Sequence, residues 1–248
     1  NFEKLGDFQE KALNYLENHG YPFARLQLDS LRMEEQKVSG KWKLERGPLY
    51  KIDSITVTGT AKISSSFLQN YLDIPHGSIY RKDKLDGISR RLLELPYLKE
   101  SRKWDMTMLG TGSALNLYLD SKKSSQINAL VGFLPSNPQL GGKLLITGEA
   151  NLNLKNALGG GETIGLNWQQ LQIKSPRLNI LFQQPFIFHS RFGVDFNFDL
   201  FKKDSSFLNI NLLLGAQYVV SQRQSGRLFF QVFRTNLITV DTNQIKAT

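Results

Sequence analysis

No cysteine occurs anywhere in the 248 residues. That absence excludes a disulfide framework, a thiolate metal site and a cysteine nucleophile. No window approaches the roughly 18 uncharged apolar residues that a membrane-crossing helix needs. Histidine is scarce too: His19, His76 and His189 stand apart, each beside a helix or strand end, whereas metal ligands come as clusters. No Gly-x-Ser-x-Gly elbow is present. The net charge of +9 is spread along the chain, with Lys122-Lys123 and Lys202-Lys203 as isolated pairs. Its first reading is loop charge and solubility, its second an attraction to an anionic membrane surface. Arg25, Arg32, Lys41 and Lys43 interleave with Trp42 without forming a nucleic-acid module, so no nucleic-acid partner is expected. The opening Asn-Phe-Glu-Lys lacks the charged stretch and apolar run of a secretory leader. An exported protein would be represented here by a processed or cut form.

What the chain does have is alternation. From Gln126 onward apolar and polar positions take turns, broken at intervals by Gly, Asn, Asp, Ser and Pro. In Arg191 to Leu200, Phe192, Val194, Phe196, Phe198 and Leu200 alternate with Arg191, Gly193, Asp195, Asn197 and Asp199. A period of two sends successive side chains to opposite faces of a strand. Strands of roughly ten residues with one greasy face and one rich in Asn, Asp, Glu and Gln fit a transmembrane β-barrel, lipid outside and water inside. The slightly negative mean hydropathy of −0.30 is no obstacle, because such strands put only every second residue into lipid. Seven strands are predicted, near 126–134, 142–155, 161–173, 177–184, 190–201, 206–220 and 226–239. Single-chain barrels of this type have an even strand count. Seven strands, and an end at Gln244 to Thr248 without an aromatic last residue, therefore predict the front part of a longer protein.

The first half reads differently. Phe8 to His19 has helical spacing and stops at Gly20; Phe23 to Leu31 and Lys37 to Leu44 then read as strands. A longer unit follows. It has a strand over Tyr50 to Val57, a short helix over Ser64 to Leu72, an amphipathic helix over Lys82 to Leu95, and strands over Tyr97 to Met108 and Ala114 to Leu119.

The text at several points is similar to one family. Tyr50 to Gly59, then Leu72-Asp73-Ile74-Pro75-His76-Gly77-Ser78-Ile79-Tyr80, then Leu95-Pro96-Tyr97-Leu98, resemble a POTRA domain. That is the periplasmic module of the outer-membrane assembly family that includes BamA, TamA and the two-partner secretion transporters. Gly20 to Ala24 resembles a helix-to-strand junction of a preceding POTRA. Asn153 to Glu162 and Pro185 to Phe188 resemble an early hairpin and a strand end of the family's barrel. The resemblance implies α+β POTRA modules followed by an antiparallel transmembrane β-barrel of which only the first strands are present. The expected division is 1–47 as the C-terminal half of a POTRA, 48–123 as a complete one, and 124–248 as the barrel part. It also implies a bacterial outer-membrane location with the N-terminal part in the periplasm. The implied partners are outer-membrane lipid, unfolded outer-membrane protein clients, and periplasmic or lipoprotein helpers.

Two segments carry the functional expectation. Lys103, Trp104, Asp105 and Met106 offer a pairing edge in the complete module, since an exposed edge adds an extended strand through main-chain hydrogen bonds. Gln126, Asn128 and Leu130 lie in the first barrel strand, which in the family borders a seam that opens laterally. Leu144, Ile146, Ile164, Leu166, Trp168, Phe192, Val194, Phe196 and Phe198 are the expected membrane-facing residues, with Trp168 as an interface anchor. Asp195 and Asp199 share the opposite face and read as lumen lining rather than as an acid/base pair. Gly159-Gly160-Gly161 leads into a strand, so it reads as a hairpin turn and not as a phosphate loop. No cofactor is expected and no enzymatic activity. The rival readings are a two-partner-type secretion transporter, a POTRA-fused barrel enzyme such as a lipase or acyltransferase, and a soluble β-sandwich, whose greasy stripe would need a cover.

Overall fold

The computed structural model describes residues 2–34, 37–110, 112–135, 144–172, 174–221 and 224–238. The predicted strand beginning at 142, the one ending at 239 and the tail from Gln244 to Thr248 lie partly or wholly outside these. Contacts divide the chain into two units: residues 1–61 with 68–121, and residues 62–67 with 122–248.

The first unit opens with α1 (Phe2–Glu17), followed by an antiparallel ribbon of β1 (Arg25–Glu34) and β2 (Lys37–Glu45). The helix lies on the ribbon through the Gln9 side chain, which donates to the Leu26 carbonyl at 2.8 Å, and through the Phe8 and Trp42 rings, 5.4 Å apart. A four-stranded sheet comes next, in the order β4 (Ser78–Ile79), β3 (Lys51–Thr58), β6 (Gly112–Ser121), β5 (Leu98–Leu109). Its central pair, β3 and β6, is parallel, and β5 returns antiparallel along the outside. The helices α2 (Ser65–Leu72), α3 (Lys82–Asp86) and α4 (Ile88–Leu93) form the crossover. In β6 the period of two is complete: Leu115, Leu117 and Leu119 are fully buried, while Asn116 and Tyr118 between them face outward. Leu68, Leu72, Leu85, Ile88 and Leu92 supply the opposing helical surface.

Two departures from the sequence reading stand out here. The single helix expected over 82–95 is two short ones meeting at Gly87, which ends α3 and starts α4. The short β4, hydrogen-bonded to β3 through Lys51 and Ile52, carries no periodic signal of its own. Contacts also join the C-terminal end of α1 to α3 within one unit. Lys82 forms an ion pair with Glu17 at 2.6 Å, and the Asp83 N–H donates to the Asn18 side chain at 2.9 Å.

The second unit is one antiparallel sheet of seven strands in chain order: β7 (Gln126–Leu134), β8 (Leu145–Lys155), β9 (Thr163–Gln170), β10 (Arg177–Gln184), β11 (Phe192–Lys203), β12 (Phe207–Ser221) and β13 (Gln224–Leu237). Every neighbour is the next strand along the chain, so short turns suffice as connections. The sheet is not closed among the described residues: β7 and β13 are its two edges. No helix among them is long and apolar enough to cross a membrane, which says nothing of a β-barrel.

The stability of the first unit should rest on the β6 triplet. Leu117→Ala is expected to cost about 2–5 kcal/mol, and Lys51→Ala, at an exposed position, within about 0.5 kcal/mol. Urea unfolding read by hydrogen exchange of the β3 and β6 amides tests both.

Candidate functional site: strand edges and a two-faced sheet

Strand β5 forms one edge of the four-stranded sheet, and it is irregular. Its register against β6 slips between Glu100 and Arg102 and again between Arg102 and Asp105. Lys103 and Trp104 fall in the second slip and lack regular partners on β6. A bulge of this kind bends a strand and blunts its edge. Asp105 belongs to a network on the outward face. Its carboxylate accepts from the Asn116 amide at 2.8 Å and the Tyr118 hydroxyl at 2.9 Å, and pairs with Arg102 at 2.7 Å. Arg102 also lies 3.8 Å from the Tyr118 ring centre. The bonds from Asn116 and Tyr118, helped by the Arg102 guanidinium, hold the Asp105 carboxyl below the usual carboxylate range. Met106 pairs with Leu115 on the helix side. The four expected pairing residues thus lie on a true edge strand, two of them in its bulge and one tied into a side-chain network.

Strand β7 is an edge as well, paired among the described residues with β8 alone. Gln126, Asn128 and Leu130 share one of its faces. Ile127, Val131 and Phe133 share the other, each more than 60% exposed. Its register against β8 runs without a slip from Gln126 to Leu134.

Directly paired residues of an antiparallel sheet point to the same face, so the register sorts the whole sheet. One continuous row runs Ile127, Leu152, Leu166, Ile180, Phe198, Leu212, Val232, apolar on all seven strands. Ile146, Ile164, Trp168, Phe192, Val194 and Phe196 fall on that same face, and Leu144 immediately precedes β8. The Trp168 ring lies over Gly148, where a Cβ would stand only 3.2 Å from it. The opposite face carries Glu149, Asn151, Asn153, Asn167, Asn179, Asp195, Asn197 and Asp199, with Asn179 donating to both Asn197 and Asp199 at 2.8 and 2.7 Å. Asp195 and Asp199 therefore sit among amides on a broad polar surface.

One feature escaped the sequence reading. The turn from Asn156 to Gly161 is organised by Glu162, which is fully buried and accepts from the Leu158 and Gly160 N–H groups at 2.5 and 3.0 Å. Residues 62–67 pack on this turn: Ser64 N–H donates to the Gly159 carbonyl at 2.8 Å, and the Asn156 amide donates to the Lys62 carbonyl at 2.9 Å. Phe67 touches Gly161 so closely that a Cβ there would collide with its ring, and it meets Phe186 edge-on at 5.6 Å. Phe67, Phe186, Ile187 and His189 line an open notch of about 590 Å³. A fully buried Glu after a glycine triplet was a usable signal only with the partner segment in view. No cluster of metal-ligating side chains occurs among the described residues.

Residues 50–102 match the POTRA family model, described as a surface antigen variable number repeat. No curated protein sequence matches the chain. Among solved structures, BamA from Haemophilus ducreyi lacking POTRA domains 1–3 is similar at 15% identity with a TM-score of 0.56, covering 94% of this chain and 44% of that one. CdiB from Acinetobacter baumannii is similar at 16% identity and TM-score 0.52, covering 97% and 47%. CdiB from Escherichia coli gives 14% and 0.51, covering 97% and 46%. The chain spans less than half the length of each.

Two outcomes test the local chemistry. The lowered Asp105 pKa means that its network contributes fully above the unfolded carboxylate value of about 3.9 and fades as pH falls through the lower folded value. Thermal unfolding followed at Trp104 should therefore weaken on acidification below roughly pH 4, by a portion that Asp105→Asn lacks. Glu162→Ala removes the acceptor of two part-buried N–H donors and should destabilise the turn by about 0.5–1.5 kcal/mol per hydrogen bond. Faster hydrogen exchange at Leu158 and Gly160, with Glu162→Gln in between, is the expected readout.

Proposed function

We propose that this POTRA-containing chain, which has a BamA/TamA-like fold with an antiparallel sheet resembling part of a barrel, belongs to a non-enzymatic outer-membrane protein that inserts or translocates other proteins. The observation that carries the reading is a sheet with an apolar row continuous across all seven strands on one face, a largely polar opposite face, and an open strand at its start. In this reading the apolar face meets lipid, the polar face lines a wet interior, and the four-stranded sheet with its helices lies in the periplasm.

The chemistry is backbone pairing. An unpaired N–H or C=O in the hydrocarbon core costs several kcal/mol, so an unfolded strand cannot enter lipid bare. A strand that first pairs with β7 enters with one edge already satisfied. The regular β7 ladder suits this role better than the bulged β5 edge, which serves as a weaker, first-contact surface. No energy source is required: apolar burial and completed hydrogen bonds in the client drive the step. That outer-membrane protein clients and helper proteins are its partners rests on the family likeness alone.

A second reading, a secretion transporter of two-partner type, is favoured by the likeness to CdiB. The two separate in vesicles carrying the protein with its natural flanking sequence. Under the first reading, an unfolded outer-membrane barrel protein added outside becomes protease-resistant and folded in the bilayer faster than with empty vesicles. Val131→Pro, which places a ring in the β7 ladder, slows that gain. Under the second, an extended substrate reaches the vesicle lumen and barrel insertion is not accelerated. Neither effect, with the protein correctly inserted, would overturn both.

A further inference from the structure

One row of the polar face differs from its neighbours. Asn128 pairs with Asn151, Asn151 with Asn167, Asn167 with Asn179, Asn179 with Asp199, and Asp199 with Asn211. Five asparagines and one aspartate thus stand side by side across six adjacent strands, β7 to β12. Directly opposed side chains on such a ladder lie about 4.5–5.5 Å apart at Cβ, close enough to interact. The bond from the Asn179 amide to Asp199, at 2.7 Å, shows the row linked at one of its steps.

The rows on either side are mixed. One runs Gln126, Asn153, Gly165, Leu181, Asn197, Leu213; the other runs Leu130, Glu149, Gln169, Arg177, Phe201, Asn209. A polar face by itself therefore does not produce amide opposite amide. The row also has two unlike ends. On β13 it stops against Phe233, which pairs with Asn211. On β7 it stops at Asn128 because the edge strand is reached.

Alternation alone leaves an added strand one ambiguity. A slip of one residue puts every side chain on the wrong face, but a slip of two returns each to its proper face. Something other than the apolar–polar pattern must then choose among registers two residues apart. An amide supplies both donor and acceptor, so a row of amides extends by adding another amide, as in the asparagine ladders of stacked strands. Leu130 and Gln126 flank Asn128 on its face, so the three positions facing a new strand are chemically unequal.

We infer that the asparagine row is a register gauge: a strand added at the β7 edge is aligned so that its own Asn or Gln comes opposite Asn128. The occupant is an extended client segment of alternating apolar and polar residues with an amide among the polar ones. The inference rests on the proposed role of β7 as the receiving edge, and it adds a specificity that backbone pairing does not have.

The sequence has no native cysteine, so disulfide mapping starts from a clean background. The protein, in vesicles and carrying either Gln126→Cys or Leu130→Cys, is mixed with ten-residue peptides of alternating Val and Thr. Each peptide bears one Asn and, two or four residues away, one Cys. Oxidation should favour the pair that sets the peptide Asn opposite Asn128, by about two- to fivefold over registers displaced by two residues. Replacing the peptide Asn by Thr should flatten the distribution without touching the protein. Asn128→Val should do the same, and Asn128→Gln should retain the bias. Cross-links at both protein positions with no dependence on the peptide Asn would overturn the gauge and leave β7 as a receiving edge. Absence of cross-links at both positions would overturn the receiving edge, and the gauge with it.

Discussion

Backbone polar groups set the terms for this protein. Within a seven-stranded sheet every interior strand satisfies its N–H and C=O groups on both sides, and only the edges are left with open valences. Sequential antiparallel order makes that arrangement cheap in chain length and places the first strand, β7, at an edge. The same logic explains the difference between the two candidate edges. In the four-stranded sheet β5 is interrupted twice, and the side chains nearby form a charged and aromatic network on its face. In the larger sheet β7 keeps an unbroken ladder and exposes both its apolar and its polar side chains. An edge that is guarded and an edge that is regular suit different tasks.

Local periodicity made much of this legible beforehand. Leu115, Leu117 and Leu119 read as the inner face of a strand because each alternates with a polar neighbour, and all three are fully buried. The seven later strands were readable for the same reason, and so was the common face of Ile164, Leu166, Phe196 and Phe198. What stayed hidden depends on residues far apart in sequence. The break at Gly87 interrupts an apolar spacing that reads continuously from Leu85 to Leu92, since helical periodicity survives a change of axis between two short helices. The bulge at Lys103 and Trp104 exists only relative to β6. Glu162 looked like an ordinary strand residue because its partners are backbone N–H groups that face it only once the turn has closed.

Register belongs to the same hidden class, and it carries the more specific functional content. Each asparagine from Asn128 to Asn211 is unremarkable in its own strand. Their alignment arises from five successive pairings between neighbouring strands. The uniform apolar row through Leu166 and Phe198 lies one residue away on the opposite face, so the two rows run together across the sheet as back and front of one line.

The dimensions of the apolar face agree with the proposed membrane setting. Along β11 the apolar residues run from Phe192 to Leu200, roughly 27 Å at about 3.4 Å per residue. With strands tilted by about 35–45°, that becomes roughly 20 Å of height, against an apolar band of about 25 Å in outer-membrane barrels. The ends of the run are chemically distinct. Phe192 and Tyr218 meet at 4.8 Å at one end, as aromatic residues do at a membrane interface. At the other end the next position on the face is Lys202, a residue type that can lay its apolar stem along lipid and keep its ammonium in water. A sandwich packed against a second sheet would gain nothing from an aromatic pair at one margin and a lysine at the other. A surface spanning from one water interface to the next has a use for both.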